Sequence, residues 1–253
     1  MSNTGLQDKV VIVTGAGGGI ARATAEAFAA EGCRLVLTDI DSAGLDEVAT
    51  ELRGGGTQVE TIVADVTRAD GAESVVSLAR EKFGRVDVLA NVVGGSRPGK
   101  NVAEVTQDDW NAVVDLNLTS TFLMSHYALP HMEAQGGGAI VNVASGAGEN
   151  GMKNNPAYCA AKAGVIGLTK AMAIDHAPKG VRVNCVSPGP VLTPLMRRNR
   201  TPDEIAMIGQ GCLLGRVADP DELADAIVYL ASDQASYVVG QTLPVNGGAA
   251  ARV

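Results

Sequence analysis

The 253-residue chain has few aromatic side chains: three Phe, four Tyr and one Trp make up 3% of its residues. Its formal net charge of −8 would repel the phosphates of a nucleic acid, and few residues are available to stack on bases. The densest basic run is only Arg-Arg-Asn-Arg at positions 197–200. We therefore expect no nucleic acid among the partners of this protein.

Metal-binding and targeting patterns are also lacking. The four cysteines are widely separated, without a C-x-x-C pair or a histidine at metal spacing, so we expect no metal site and reduced thiols. No apolar stretch reaches the ~18 residues that span a bilayer, and the first residues do not form a signal peptide. The sequence thus favours a cytoplasmic protein that has no membrane partner.

Short apolar runs rich in valine and isoleucine recur along the chain and are typical of strands buried on both faces. Helical patterns follow many of them: one begins at a cap at Ser42, one at Thr106, and two span 157–177 and 219–231. This alternation predicts the α/β class, a single-domain Rossmann-like doubly wound parallel sheet of about seven strands with helices on both faces. The domain would cover residues 1–253, with a substrate lid around 190–215. The predicted strands are 10–14, 34–38, 58–63, 86–92, 139–143, 181–186 and 242–245.

A glycine cluster follows the first predicted strand, at the start of a helix. Glycines let the backbone approach a pyrophosphate, and the helix N-terminus supplies N–H groups and a positive dipole end. Asp39, at the end of the second strand, would accept hydrogen bonds from an adenosine ribose and repel a 2′-phosphate. NAD rather than NADP is the expected cofactor, although the cluster alone also fits a tight turn, and Asp39 alone fits a helix cap. The predicted phosphate-binding residues are Gly15, Gly18, Gly19 and Ile20.

Tyr158 and Lys162 are four residues apart on a predicted helix and therefore share one face. By themselves they also fit a partly buried tyrosine beside a lysine whose stem packs along the helix. Ser145, however, follows the strand predicted at 139–143, and ligands bind at the carboxyl ends of strands in α/β sheets. The three residues therefore form a candidate catalytic group.

These motifs together resemble the classical short-chain dehydrogenase/reductase family, from residue 9 to residue 248. The resemblance implies a catalytic tetrad of Asn117, Ser145, Tyr158 and Lys162, the last two also contacting the cofactor. It implies further cofactor contacts at Asn91, at Asp65 and Val66 with the adenine, and at Val191 and Thr193 with the nicotinamide. Two positions depart from the family pattern: Ala21 replaces the last glycine, and Asn-Val-Val-Gly at 91–94 replaces Asn-Asn-Ala-Gly.

In the implied chemistry, Tyr158 is the general base or acid. The ammonium group of Lys162 and the positive nicotinamide ring would lower the tyrosine pKa from ~10. Ser145 would hold the substrate oxygen, and Asn117 would anchor a water that relays the proton.

The expected function is NAD-dependent interconversion of a small-molecule secondary alcohol and a ketone, by a homotetramer or homodimer. One alternative is a 3-oxoacyl-thioester reductase of the acyl-carrier-protein type that uses NADPH. Another is a non-catalytic dinucleotide-sensing regulator. The sequence does not identify the substrate, and Arg197, Arg198 and Arg200 fit either steering of an anionic substrate or a solvated loop.

Overall fold

The computed structural model describes residues 4–249, so residues 1–3 and 250–253 of the predicted domain lie outside it. Its strands form one sheet in the order β3-β2-β1-β4-β5-β6-β7, and all neighbouring strands are parallel. This confirms the predicted fold class. The strands are β1 (Val10–Thr14), β2 (Arg34–Asp39), β3 (Val59–Val63), β4 (Val88–Asn91), β5 (Gly138–Val143), β6 (Val181–Pro188) and β7 (Thr242–Val245).

Helices connect the strands, and one five-residue π turn (Asp115–Thr119) joins α4 directly to α5. Short 3₁₀ turns follow α7 and α10. The α-helices are α1 (Gly19–Ala30), α2 (Ser42–Gly54), α3 (Ala69–Phe83), α4 (Gln107–Val114), α5 (Ser120–Ala134), α6 (Gly146–Asn150), α7 (Pro156–His176), α8 (Pro194–Asn199), α9 (Pro202–Gln210) and α10 (Pro220–Ala231).

The sheet is buried on both faces, which explains why its strands read as continuous apolar runs. Val11 and Val13 of β1 belong to a core cluster with side chains of α1, α2 and α10. Val10 and Ile12, which alternate with them, belong to a second cluster with side chains of α3, α5 and α7. Each face therefore buries its own layer of helices, as a doubly wound fold requires.

The capping residues explain where two of the helices begin. Thr106 caps α4 as predicted, because its hydroxyl accepts a hydrogen bond from the Asp109 nitrogen at 3.1 Å. The predicted cap at Ser42 is wrong by one residue. The carboxylate of Asp41 accepts from the Ala43 nitrogen at 3.2 Å and is the cap, so Ser42 is the first residue of α2.

Helix α7 with its 3₁₀ turn, Pro156–Lys179, has the length and mean hydropathy of a membrane span. Val165, Met172 and Ala173 of this helix are buried in the fold. Packing against the sheet thus accounts for part of its apolar character.

The direction of the strand order reverses between β1 and β4, since β2 and β3 lie on one side of β1 and β4 to β7 on the other. A crevice forms outside the carboxyl ends of the strands at such a point, and ligands bind there in doubly wound sheets. The segment predicted as a lid folds into the two short helices α8 and α9.

Candidate active site

The glycine turn between β1 and α1 has the conformation that a phosphate site needs. Gly15 and Gly19 have positive φ values of 74° and 58°, where glycine is favoured. A Cβ at Gly15 would also lie 3.1 Å from the Cα atom of Val93. Gly18 precedes α1 without a capping side chain, and the first turn of the helix has no acidic residue. The N–H groups and positive dipole end of α1 are therefore available to an anion.

The carboxylate of Asp39 is fixed beside this turn. Its Oδ2 atom accepts a hydrogen bond from the Gly17 nitrogen at 2.9 Å, and its Oδ1 atom accepts from the Asp41 nitrogen at 3.0 Å. Each carboxylate oxygen has two lone pairs, so both can accept a further hydrogen bond. The arrangement places a negative charge at the end of β2, next to the glycine turn.

Thr14 ties the end of β1 to the chain that leaves β4. Its hydroxyl oxygen accepts hydrogen bonds from the nitrogens of Val92 and Val93, at 3.0 Å and 3.1 Å. Thr14 itself is fully buried. Thr14 is not predicted as a site residue from the sequence, because only the pairing of β1 with β4 brings these segments together.

The predicted adenine contacts Asp65 and Val66 follow β3 at the same edge of the sheet. Asp65 is exposed, and its Oδ1 atom accepts from the nitrogen and the hydroxyl of Thr67, at 3.0 Å and 2.6 Å. The side chain of Val66 is buried in the core between the sheet and α3. Asp65 thus presents a carboxylate at the edge, whereas Val66 presents its backbone.

The side chain of Asn91 points away from the crevice. It is 1% exposed, and its Nδ2 atom donates to the Ser125 hydroxyl at 3.2 Å and to Asn142 Oδ1 at 2.9 Å. Asn142 in turn donates to the hydroxyl of Thr169 at 2.9 Å. Asn91 therefore links β4 to β5 and α5, which leaves only its backbone for a cofactor. Alternation along β4 would have indicated this, because Asn91 shares a face with the core residue Leu89.

Ser145, Tyr158 and Lys162 meet at the carboxyl end of β5. Ser145 caps the short helix α6, where its hydroxyl accepts from the Ala147 nitrogen at 3.2 Å. Tyr158 and Lys162 lie on the first turns of α7, and the Lys162 Nζ atom is 5.8 Å from the centroid of the tyrosine ring. The three side chains predicted to act together are thus neighbours.

Burial dominates the titration of Tyr158 and Lys162. It raises the pKa of Tyr158, and hydrogen bonding from Ser145 opposes this effect only in part. The protein by itself therefore does not lower the pKa of Tyr158, and the predicted lowering also depends on the positive nicotinamide ring. Burial also lowers the pKa of Lys162 to about 8. The Lys162 Nζ atom donates to the backbone oxygen of Val143 at 2.7 Å.

Asn117 lies in the π turn, and its side chain holds the loop that follows β4. The Nδ2 atom donates to the backbone oxygens of Gly95 and Val113, both at 2.8 Å, and Oδ1 accepts from the Gly95 nitrogen at 3.1 Å. Both amide hydrogens are therefore engaged by the protein. The second lone pair of Oδ1 is the part of the side chain that remains to accept a hydrogen bond from a water.

Gly94 lies between two members of the predicted tetrad, although it is not itself one of the predicted site residues. A Cβ at this position would be 2.8 Å from Asn117 Oδ1 and 3.0 Å from Lys162 Nζ. These distances leave no room for a side chain. The pattern Asn-Val-Val-Gly at 91–94 includes this glycine, but the sequence does not show its close contacts, since the loop, the π turn and α7 are far apart in the chain.

Val191 and Thr193 bring the segment after β6 to the glycine turn. Val191 is buried and forms an isolated parallel bridge with Ala218. Thr193 caps α8, and its methyl carbon is 3.5 Å from the position that a Cβ of Gly19 would take. The predicted nicotinamide contacts and the predicted phosphate contacts therefore border one crevice.

Other titratable groups lie outside this crevice or have structural partners. The ring of His176 is hydrogen-bonded to Glu133, which also binds Lys179, and the ring of His126 packs against Phe122. All four cysteines are free, and no cluster of potential metal ligands occurs within residues 4–249. The nitrogen of Met152 donates to Cys159 Sγ at 3.1 Å, so this thiol has a structural partner.

Comparison with known proteins identifies the class to which the crevice belongs. A family model described as enoyl-(acyl carrier protein) reductase matches residues 15–250. The cis-4-hydroxycyclohexanecarboxylate dehydrogenase of Sinomonas cyclohexanicum is 41% identical over 241 residues, which cover 95% of this chain and 96% of that protein. The 3-oxoacyl-(acyl-carrier-protein) reductase of Thermotoga maritima is 38% identical over 244 residues, 96% of this chain and 98% of that protein.

A solved structure gives the same result. A crystal structure assigned as a short-chain dehydrogenase/reductase from Burkholderia xenovorans matches with a TM-score of 0.91 at 39% identity, over 98% of both chains. The fold and the matches define an oxidoreductase that acts on CH–OH groups. The chain belongs to the short-chain dehydrogenase/reductase family.

Proposed function

We propose that this protein is an NAD-dependent dehydrogenase that interconverts a secondary alcohol and a ketone, with Tyr158 as the general base or acid. The observation that carries the proposal is the meeting of Ser145, Tyr158 and Lys162 at one end of the sheet, beside a glycine turn that carries a fixed carboxylate. The residues would act as one domain, with α8 and α9 as the substrate lid.

The glycine turn fits a dinucleotide. Gly15, Gly18, Gly19 and Ile20 would bind the pyrophosphate through backbone N–H groups at the start of α1. Asp65, Val66 and the backbone of Asn91 would contact the adenosine half, and Val191 and Thr193 the nicotinamide half. A bound NAD would supply the hydride acceptor for alcohol oxidation.

Two groups of charges favour NAD over NADP. The Asp39 carboxylate would accept hydrogen bonds from the adenosine ribose, and its negative charge would repel a 2′-phosphate. Arg22, on the nearby helix α1, forms ion pairs with Glu26, Glu47 and Glu51. Its positive charge is therefore already compensated by three carboxylates and is poorly suited to hold a phosphate.

Side chains of the protein would transfer the proton of the substrate alcohol. Tyr158 would take the proton of the alcohol as the ketone forms, and the Ser145 hydroxyl would donate a hydrogen bond to the substrate oxygen. The ammonium group of Lys162 would favour the tyrosinate and bind ribose hydroxyls. Asn117 would act by holding the loop at Gly95 and by accepting from a water on the proton path.

The thioester reductase remains the second candidate, because the Thermotoga maritima relative has that activity by name and the similarity is close. The Asp39 carboxylate argues against it, since that reaction was expected to use NADPH. A non-catalytic regulator would not need the complete tetrad. The Sinomonas cyclohexanicum relative, whose substrate is a cyclic alcohol by name, favours an alicyclic secondary alcohol here.

The decisive experiment is an initial-rate survey of secondary alcohols at alkaline pH with NAD and with NADP. We expect turnover with NAD, and we expect that Tyr158→Phe abolishes it while NAD still binds. Turnover with NADP alone would support the thioester reductase, to be checked with a 3-oxoacyl thioester. Dinucleotide binding without any turnover would support the regulator.

The assembly and the cellular location are proposals as well. We propose a homotetramer or homodimer, built through α4, α5 and α7 and the segment 237–248. Exposed side chains on two of these helices, Phe122 and Ile174, support the proposal. The free thiols support a reducing compartment, the cytoplasm.

A further inference from the structure

A cavity of about 530 Å³ lies between α8, α9 and the segment 215–217. Leu192, Ile205 and Val217 form apolar parts of its wall, and three arginines also line it: Arg197, Arg200 and Arg216. No carboxylate lines this cavity among the residues that the structure describes. Its wall therefore combines apolar surface with positive charge.

The three guanidinium groups are not equally available. Arg200 pairs with Glu204 at 3.3 Å, and Arg216 binds the two carboxylate oxygens of Glu222 at 2.6 Å and 2.8 Å. In contrast, the side chain of Arg197 forms no hydrogen bond or ion pair with any residue from 4 to 249. Arg197 thus supplies one positive charge that is open to a ligand.

The local charge differs in sign from that of the whole protein. Positions 194–217 contain four arginines against only Asp203 and Glu204, while the chain as a whole has a net charge of −8. The apolar wall also reduces the exposure of a bound ion to water, which strengthens its attraction to a guanidinium group. The cavity is therefore suited to an organic anion rather than to a neutral or cationic molecule.

The cavity adjoins the catalytic crevice. Leu192, on its wall, lies between Val191 and Thr193 in the chain, and Thr193 is close to Gly19 of the glycine turn. Helix α8 begins directly after Thr193 and carries Arg197. A ligand in the cavity would thus touch the same segment that borders the proposed nicotinamide site.

We propose that this cavity binds the carboxylate of an apolar organic acid, with Arg197 as the residue that pairs with it. One guanidinium group matches one carboxylate in a bidentate pair. One guanidinium group would balance only one of the two charges of a dianionic phosphate, and both neighbouring arginines are already engaged by Glu204 and Glu222. The carboxylate has two sources: the substrate itself, which would then be a hydroxy acid, or a free organic acid that is not turned over. In the first case the proposal rests on the proposed function.

The first arm of the test measures binding without turnover. Cyclohexanecarboxylate is titrated by calorimetry into the full chain, into Arg197→Gln and into Arg198→Gln. Arg198 is the matched control, because it is adjacent on α8 and exposed but does not line the cavity. We expect affinity to fall about 10-fold or more in Arg197→Gln, as for a lost charge-assisted hydrogen bond, and less than about 2-fold in the control.

The second arm distinguishes the two sources of the carboxylate. KM is measured for 4-hydroxycyclohexanecarboxylate and for neutral cyclohexanol in the same three proteins. A rise in KM of about 10-fold in Arg197→Gln, for the hydroxy acid only, identifies the substrate carboxylate as the ligand. Loss of binding with both KM values unchanged identifies a free acid.

Absence of cyclohexanecarboxylate binding to the unmodified protein, or equal binding to all three proteins, would overturn the proposal. Failure of the proposed function gives a different result, namely no turnover of either alcohol. The binding titration remains informative in that case.

Discussion

The Oδ2 atom of Asp39 lies 2.9 Å from the backbone nitrogen of Gly17, so the carboxylate that would select the cofactor is held by the turn that would bind its phosphates. The contact joins the ends of β1 and β2, two parallel strands whose carboxyl ends meet at the same edge of the sheet. A substitution at position 39 therefore changes both the charge of the crevice and the support of the glycine turn.

Replacement of Asp39 by serine should shift cofactor preference toward NADP. Loss of a charge-assisted hydrogen bond to the ribose should reduce kcat/KM for NAD about 10-fold to 100-fold, and loss of the negative charge should relieve repulsion of a 2′-phosphate. The measurement is the ratio of kcat/KM values with NAD and NADP. Asp46→Asn, at an exposed site on α2, is the control and should leave the ratio unchanged. An unchanged ratio in Asp39→Ser would contradict the assignment.

Replacement of Tyr158 by phenylalanine should remove general acid–base catalysis. A positioned proton donor or acceptor contributes roughly 10²-fold to 10⁴-fold, so kcat should fall by at least about 10²-fold. The dissociation constant of NAD, measured by calorimetry, should change little because the ring is retained. Tyr127→Phe on α5 is the matched control for loss of a phenol. Residual kcat within a few fold of the unmodified enzyme would exclude Tyr158 as the acid–base residue.

Lys162 should make the stability of the protein depend on pH in the alkaline range. Burial lowers its pKa in the folded state from 10.5 to about 8, so between these values the unfolded chain binds more protons than the folded chain. Stability should therefore rise with pH across this window, by roughly 3 kcal/mol if the whole shift is realised. The penalty of burying the ammonium group is fully present below pH 8.

The comparison with Lys162→Met isolates this effect. In urea unfolding from pH 7 to pH 10.5, the free energy of unfolding of the variant should fall relative to that of the unmodified protein as the pH rises. Titrating groups that are remote from position 162 are common to both proteins and cancel in the difference. Parallel pH profiles would show that burial does not lower the pKa of Lys162.

Replacement of Gly94 by alanine should impair catalysis more than the same change at Gly95. The Cβ at position 94 would push against Asn117 Oδ1 and Lys162 Nζ, whereas the Cβ at position 95 would meet only the flexible end of Leu116 at 3.3 Å. A displacement of about 1 Å can cost 10²-fold in rate, so kcat of Gly94→Ala should fall by about that factor. Gly95→Ala should stay within about 5-fold. Equal kcat values in the two variants would show that position 94 tolerates a side chain.

Much of the fold was predictable because its signals are local. The valine-rich runs of β1 and β2 and the capping sequence at Thr106 identify elements without reference to the rest of the chain. The proximity of the proposed catalytic residues Tyr158 and Lys162 follows from helical spacing in the same way. These predictions needed only the periodicity of strands and helices.

The parts that were missed depend on contacts between distant segments. The orientation of Asn91 is set by Ser125 and Asn142, and the lack of space at Gly94 is set by Asn117 and Lys162. The raised pKa of Tyr158 arises from burial, which spacing in the sequence does not report. Local patterns therefore indicate the candidate site but not its internal packing.

The π turn gives the long helical segment from Gln107 to Ala134 a change of phase. A turn that holds one residue more than an α turn offsets all later residues by about 100° around the helix axis. Ser125 thereby faces Asn91 in the sheet, and Asn117 faces the loop at Gly95. Deletion of a single residue between 115 and 119 would rotate one of these two contacts out of place. The number of residues in this segment is consequently fixed, because both contacts depend on the phase that the π turn sets.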